Sequence, residues 1–473
     1  MSEPLDLLSH FPPVSDQDWE ELIPEDLDWR PIEGLTVRPY YRRGKSTPNH
    51  IFNHREWLIR ADVEMKDAVR AQLAGADALG FNLPKEKTKL PEDLPIGTIP
   101  LFFSGEGATP KLLETLRMRA ASKGYTPEEL RGSVDISSEY PVCQILDMAK
   151  GTRLWTLCIS LEPWHEQGAT HVQELACALA QLSDLLAEAG SSLATEHLYF
   201  TVPVGERYLL DIARLRALRV GAAAVLDAYR IQSQKVNIIG VPSRRYESAL
   251  DPETHLIRQT LQCVAAILGG CDVVAAPDAD LGLQMQQLMR HEGRLGVAAD
   301  VAAGAWIIEH MTDALGAASW QLFQQVEQAG GLDRSWDWIE KQIQHARNQR
   351  KAAVLSGAEA VVGVNTYLSP EIPDVAPYPN SLAAPLEAIR LRAKALTKKP
   401  RVEVRGEHDP WLRRLLSLCS CDIQTQSVNI LITKTPTGFT AQNTRGEQAS
   451  LTSGDPLHLA ADQLFRLLDS DAA

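Results

Sequence analysis

From Trp57 onward, short apolar runs alternate with longer stretches in which apolar residues recur every three or four positions. The runs "WLIRADV", "ADALGFNL", "TIPLFFSG", "GSVDI", "LWTLCISL", "LYFTVPV", "KVNIIGVPS" and "CDVVAAPDAD" read as strands. Between them, "MKDAVRAQLAGA", "TPKLLETLRMRAASKG", "ERYLLDIARLRALRVGAAAVLDAYR", "ETHLIRQTLQCVAAILGG" and "LGLQMQQLMRHE" read as helices. So does 171–189, with Leu175, Leu179, Leu182 and Leu186 on one face. A further run, "GVAADVAAG", is predicted as a strand before a helix from Ala305 to Gln328. Strands that are apolar throughout, each followed by a helix, indicate a parallel sheet covered on its outer face. About eight such alternations favour a (β/α)8 TIM barrel over an open doubly wound sheet. The first strand is not followed by G-x-G-x-x-G, which weakens a dinucleotide fold.

The pattern also divides the chain. Residues 1–50 carry Pro, Trp and charge but no long amphipathic repeat. Trp19, Trp29, Tyr40 and Tyr41 are too much apolar surface for a free tail, so this segment is expected to be an arm. It packs on its own domain or wraps a partner. The barrel is assigned to 51–367. A linker and helix follow at 368–399, opening with "LSPEIPDVAPYPNSLAAP" and its five prolines. Residues 400–473 read as a small tail domain with strands "RVEVR" and "SVNILITKT" and the helix "DPLHLAADQLFRLLDS".

Composition narrows the class. The net charge of −14 argues against a nucleic-acid binder, which needs clustered Lys and Arg. No apolar run is long enough to span a bilayer, and "MSEPLDLLSHFPPVSDQDWEEL" has no signal layout, so a cytoplasmic chain without membrane contact is expected. The seven Cys form no CxxC. Cys158, Cys177, Cys263 and Cys271 sit in apolar segments and read as buried free thiols. Cys419 and Cys421 form a CxC with no second Cys/His pair at zinc spacing.

The segment "CISLEPWHEQGATHVQELACALA" has the layout of an active-site lip: an apolar run ends at Glu162–Pro163, a loop carries His165 and Glu166, and a helix opens after Gly168–Ala169–Thr170. "GATHVQELACALA", "DIARLRALR", "DPETHLIRQTLQCVAAILGG", "DVAAGAWIIEHMTDALGAASWQLFQQVEQAGG" and "VVGVNTY" occur in an order that resembles the adenosylcobalamin-dependent methylmalonyl-CoA mutases. The resemblance covers about residues 30–397 and implies a barrel. It also implies a radical rearrangement, in which the cofactor breaks the bond and the protein orients and shields the radical.

The family's functional residues do not carry over to this chain. None of the twelve His fits the cobalt-ligating D-x-H-x-x-G; His458 in "DPLHLA" has the wrong spacing. Of R-P-W-T-I-R-Q-Y, Arg55, Trp57, Ile59 and Arg60 are kept, but the Tyr falls on Asp62. The catalytic His falls on Pro163, and His165 stands where the family has Gln. Ser133 to Met148 has no Arg or Lys to meet a substrate carboxylate, and Q-T-S-G has become "PSRRYES".

His165 is therefore expected as a rim histidine rather than a catalyst, with Glu162 and Glu166 solvated. Arg244 and Arg245 are either phosphate-gripping residues for CoA or a solvated basic pair. Arg55 and Arg60 are either CoA contacts or structural ion pairs. The resemblance points to the silent small subunit of a heterodimer whose large subunit binds adenosylcobalamin, this chain binding no cofactor or metal alone. Residues 400–473 would be a truncated remnant of a cobalamin-type domain. An acyl-CoA-binding regulator, or an isomerase using His165, Glu166 and Arg244, are the alternatives.

Overall fold

A computed structural model describes residues 14–472, apart from 25–26, 42–50, 54–55, 86–89, 138, 190–194, 206, 232–235, 279, 397–398, 406–408 and 425–427. The barrel strands are β1 (Leu58–Asp62), β2 (Ala78–Asn82), β3 (Leu101–Ser104), β4 (Arg131–Val134), β5 (Arg153–Trp155), β6 (Leu157–Ser160), β7 (Leu198–Val204), β8 (Asn237–Pro242) and β9 (Val273–Ala275). All pair in parallel, in the order β5-β4-β3-β2-β1-β9-β8-β7-β6. The two ends of that order are one piece of chain. β5 pairs with β4 and β6 with β7, and between them only Thr156 leaves the ladder, its N–H donating to the His197 carbonyl at 3.0 Å. β5 and β6 thus act as one broken strand and close an eight-position barrel.

Helices cover the outside. They are α2 (Ala68–Leu73), α3 (Pro110–Ser122), α4 (Val142–Ala149), α5 (Glu162–Gln167), α6 (His171–Ala189), α7 (Tyr208–Ala228), α8 (Pro252–Leu268), α9 (Leu281–His291), α10 (Trp306–Gln328) and α11 (Leu332–Ser356), after a short α1 (Asp16–Glu20) in the arm. Two of the expectations change. "GVAADVAAG" is a run of turns, because β9 already pairs back onto β1 and the closed barrel has no edge left for another strand. The segment carrying His165 is the short helix α5, ended by Gly168 at φ 97°; a Cβ there would lie 2.6 Å from Arg347 Cβ.

The arm is partly folded onto its own barrel. Trp29 and Val37 bridge antiparallel, Val37 is buried, and the Glu33 side chain is fully covered, 3.7 Å from His171 Nδ1 and 3.8 Å from Arg207 Nη1. Before that hairpin, Leu22 and Leu27 remain 75% and 54% exposed.

The C-terminal region packs with Tyr246, Val354, Leu355, Val361 and Val364 of the barrel segment into a second core, and it has more structure than the pattern predicted. Helices α12 (Ala384–Ala395), α13 (Pro410–Leu418) and α14 (Leu457–Ala472) accompany strands β10 (Arg401–Arg405), β11 (Asp422–Ile423), β12 (Ile430–Thr435), β13 (Gly438–Asn443) and β14 (Gln448–Thr452), in the order β11-β10-β12-β13-β14. The missed hairpin β13–β14 is "GFTAQN" and "QASLT", whose alternation of small and polar residues carries little hydrophobic signal.

Candidate functional site

Active sites of such barrels form where the strands end in their C-terminal direction. Arg60 and Asp62 reach that mouth from β1. The guanidinium meets the carboxylate through both oxygens, Nε to Oδ1 at 2.8 Å and Nη2 to Oδ2 at 2.9 Å. Gly80 on β2 makes room, since a Cβ there would lie 1.8 Å from Asp62 Oδ1.

His165 is not at a rim. It is 3% exposed, with Nδ1 2.8 Å from Glu174 Oε1 on α6 and Nε2 2.7 Å from Ser243 Oγ after β8. Glu174 also accepts from Arg214 on α7, which pairs with Asp211 at 2.7 Å. Arg245 donates to the His165 carbonyl and lies 3.8 Å from Glu174. Burial, then the charges of Arg245, Arg214 and Arg350, hold the imidazole well below its ordinary pKa, so it is neutral. Glu174 as acceptor assigns the proton to Nδ1, and the Ser243 hydroxyl then donates to Nε2. Serine, histidine and carboxylate in this order have the composition of a hydrolase triad. Here the serine is sealed: Ser243 is 3% exposed and its oxygen also accepts the Arg245 N–H at 3.2 Å.

The other predicted residues divide between the mouth and the framework. Glu166 and Arg244 are exposed, and Arg245 is a brace for the His165 turn rather than a free cation. Glu162 is exposed, with its carboxyl pushed up by desolvation and by Glu166. Arg55 lies outside the described residues. Glu174, Asp211, Arg214 and Ser243 were not singled out from the pattern. The available signal was a charge inside an apolar helix, Glu174 in "VQELACALA" and Asp211–Arg214 at i, i+3, where solvation on an outer face is impossible.

The barrel interior decides what the mouth can reach. Period-two alternation sends Ile59, Leu79, Phe103 and Phe200 outward to the helices and Phe102, Trp155, Tyr199, Ile239 and Val273 inward, where they form a separate core. Arg60 Cζ lies 5.6 Å over the Phe102 ring, Phe102 is 5.9 Å from Trp155, and Trp155 is 5.7 Å from Tyr199. A cation and three rings in series occupy the interior. Beside them the Cys158 thiol lies 3.7 Å from Thr201 Oγ1, and burial pushes Cys158 and Tyr199 well above their ordinary ranges.

Residues 81–403 match the family model described as methylmalonyl-CoA mutase. The chain belongs to the methylmalonyl-CoA mutase family. It is 26% identical over 437 residues to the methylmalonyl-CoA mutase small subunit of Porphyromonas gingivalis, covering 76% of this chain and 71% of that one. It is 26% identical over 250 residues to a probable methylmalonyl-CoA mutase small subunit of Mycobacterium tuberculosis, covering 48% and 41%. It is 24% identical over 317 residues to the methylmalonyl-CoA mutase of Rhizobium meliloti, covering 58% and 44%. The chain thus spans less than half the length of the last two.

Asp62 is tied up by Arg60. Pro163 sits in the first turn of α5, where its lack of an N–H costs nothing. From 133 to 148, the stretch without Arg or Lys leaves Asp135 at the end of β4 with no cation paired to it among the described residues.

Proposed function

We propose that this chain is the non-catalytic small subunit of an adenosylcobalamin-dependent methylmalonyl-CoA mutase, stabilising a catalytic large subunit that interconverts methylmalonyl-CoA and succinyl-CoA in the cytoplasm. The observation that carries the proposal is the filled barrel. Phe102, Trp155 and Tyr199, with Arg60 stacked at one end, occupy the space in which a thioester and a radical would have to be held. The residues at hand also do not fit a corrinoid. Among the described histidines none stands in a D-x-H-x-x-G, and His458 lies within α14 with Nδ1 buried and unbonded. No step through the cofactor is assigned to this chain.

The partner reading rests on the arm. Val14, Trp19, Leu22 and Leu27 stay exposed on the isolated chain. They continue toward a groove of about 890 Å3 walled by Trp29, Ile32, Ile257 and Leu261. An apolar surface of this kind is typical of a permanent interface.

Two measurements on the pure chain test the proposal. After mixing with adenosylcobalamin and desalting, no corrinoid absorbance should remain. With methylmalonyl-CoA and the cofactor, no succinyl-CoA should form. Turnover that survives removal of contaminating mutase overturns it. A second reading, an acyl-CoA-binding regulator, draws on the opposite end of the barrel, where a cavity of about 500 Å3 is lined by Arg131, Arg153, Phe102 and Trp155. Calorimetric titration with CoA separates the two: saturable binding without turnover favours the regulator.

A further inference from the structure

Helix α13 ends in a turn that brings two thiols together. Cys419 is its C-cap, and Ser420 follows in the left-handed region at φ 52°. The Ser420 N–H donates to the Ser417 carbonyl at 3.1 Å and the Cys421 N–H to the Leu416 carbonyl at 3.0 Å. These two bonds are the Schellman closure of a helix. The reversal folds Cys421 back on Cys419: the Cys421 thiol donates to the Cys419 carbonyl at 3.9 Å. Residues two apart in such a turn have Cα atoms about 5.5 Å from each other. That is inside the range of about 4.4–6.8 Å that a disulfide spans. Cys419 is buried and Cys421 is partly open, so the pair has one thiol that a reagent can reach and one behind it.

The other cysteines lack this arrangement. Cys177, Cys263 and Cys271 are buried, and none has a second cysteine two residues away. Cys158 lies within the barrel. Cys143 is exposed and has no recorded thiol neighbour among the described residues.

We propose that Cys419 and Cys421 are a redox-active dithiol that low-molecular-weight disulfides of the glutathione class oxidise to an intramolecular disulfide. The Cys421 thiolate attacks one sulfur of oxidised glutathione, and the first glutathione leaves as a thiolate that takes up a proton. Cys419 then gives up its proton, attacks the Cys421 sulfur and expels the second glutathione. Two cysteine thiols are oxidised, and one external disulfide is reduced to two thiols. Exposure sets the order, since only Cys421 is accessible to the first attack. The closed form would lock the corner between α13 and β11.

The test incubates the full chain with oxidised glutathione, quenches with acid, unfolds it, alkylates free thiols and maps peptides by mass. The expected result is loss of alkylation at both Cys419 and Cys421, mapped to a Cys419–Cys421 disulfide with no glutathione retained there, whatever the exposed Cys143 takes up. In Cys419→Ser, Cys421 should keep a stable glutathione adduct, because the resolving thiol is gone. Wild type in which both thiols stay alkylatable overturns the proposal. So does a wild-type chain that keeps glutathione on Cys421 with Cys419 still free. If Cys419→Ser does not fold, the wild-type map alone decides.

Discussion

Replacing His165 by alanine removes the group that Ser243 and Glu174 share, and leaves a hydroxyl and a carboxylate short of a partner in a sealed pocket. Such orphaned groups cost about 2–4 kcal/mol. The variant should therefore lose stability by chemical denaturation, whereas a rim histidine would cost almost nothing. Because Ser243 is covered, a fluorophosphonate probe should not label it in the folded chain. Stoichiometric labelling abolished by Ser243→Ala would restore a hydrolytic reading. A pH dependence follows from the same burial. His165 is held well below its ordinary pKa, and His255, desolvated and 3.3 Å from Arg258, is lowered to about 4. The unfolded chain, with histidines titrating near 6.5, then binds more protons. Stability is full above about pH 6.5 and falls as the pH drops below it, for His255 down to about 4. Asp211, pushed up to about 6 by burial, opposes this, since the folded chain takes that proton first between 6 and 3.8. Urea midpoints from pH 7.5 to 5 should decline. His255→Gln should flatten the slope by at most about 1.4 kcal/mol per pH unit. Parallel slopes for the two proteins would show that His255 does not titrate as described.

At the scale of elements, the arm divides into an anchor and a free part. Glu33 and Val37 are buried against the barrel, so a cut at residue 45 would remove core as well as interface. Deleting residues 1–27 takes away Trp19, Leu22 and Leu27 and keeps that anchor. The truncated chain should hold its circular dichroism spectrum and thermal midpoint, and should fail to co-purify with the large subunit. Undiminished pairing would move the contact to the barrel helices. A different element effect is expected at the end of α13. Ser420 holds a left-handed conformation that glycine adopts without strain, so Ser420→Gly should raise stability by about 0.5–1 kcal/mol. A lower thermal midpoint would show that the serine hydroxyl contributes more than the backbone costs.

For the whole molecule, a subunit that binds its partner only when folded gains stability by mass action, about 2.7 kcal/mol at a partner concentration a hundred times Kd. Titrating in the large subunit should raise the thermal midpoint of this chain in step with concentration. No shift, with both proteins folded, removes the stabilising role from the proposal. The second core joins the C-terminal elements to Tyr246, Val354, Leu355, Val361 and Val364 of the barrel segment, so the isolated chain is expected to unfold in one transition; two resolved calorimetric transitions would show that the shared core does not couple them.

The barrel was legible because its strands are buried on both sides and its helices on one; both leave a hydrophobic period that local sequence carries. The boundaries of "LYFTVPV" and of 171–189 agree with β7 and α6 to the residue. Three things were not legible. His165 is the polar end of a buried relay whose partners lie 9 and 78 residues away, and burial of that kind is a property of packing. The break at Thr156, which lets one run of sequence close the barrel at both ends of the sheet, depends on a hydrogen bond to His197 across the ladder. The plug is made of Phe102, Trp155 and Tyr199, each unremarkable in its own strand. They fill the interior only because eight parallel positions close into a ring and point alternate residues at one axis.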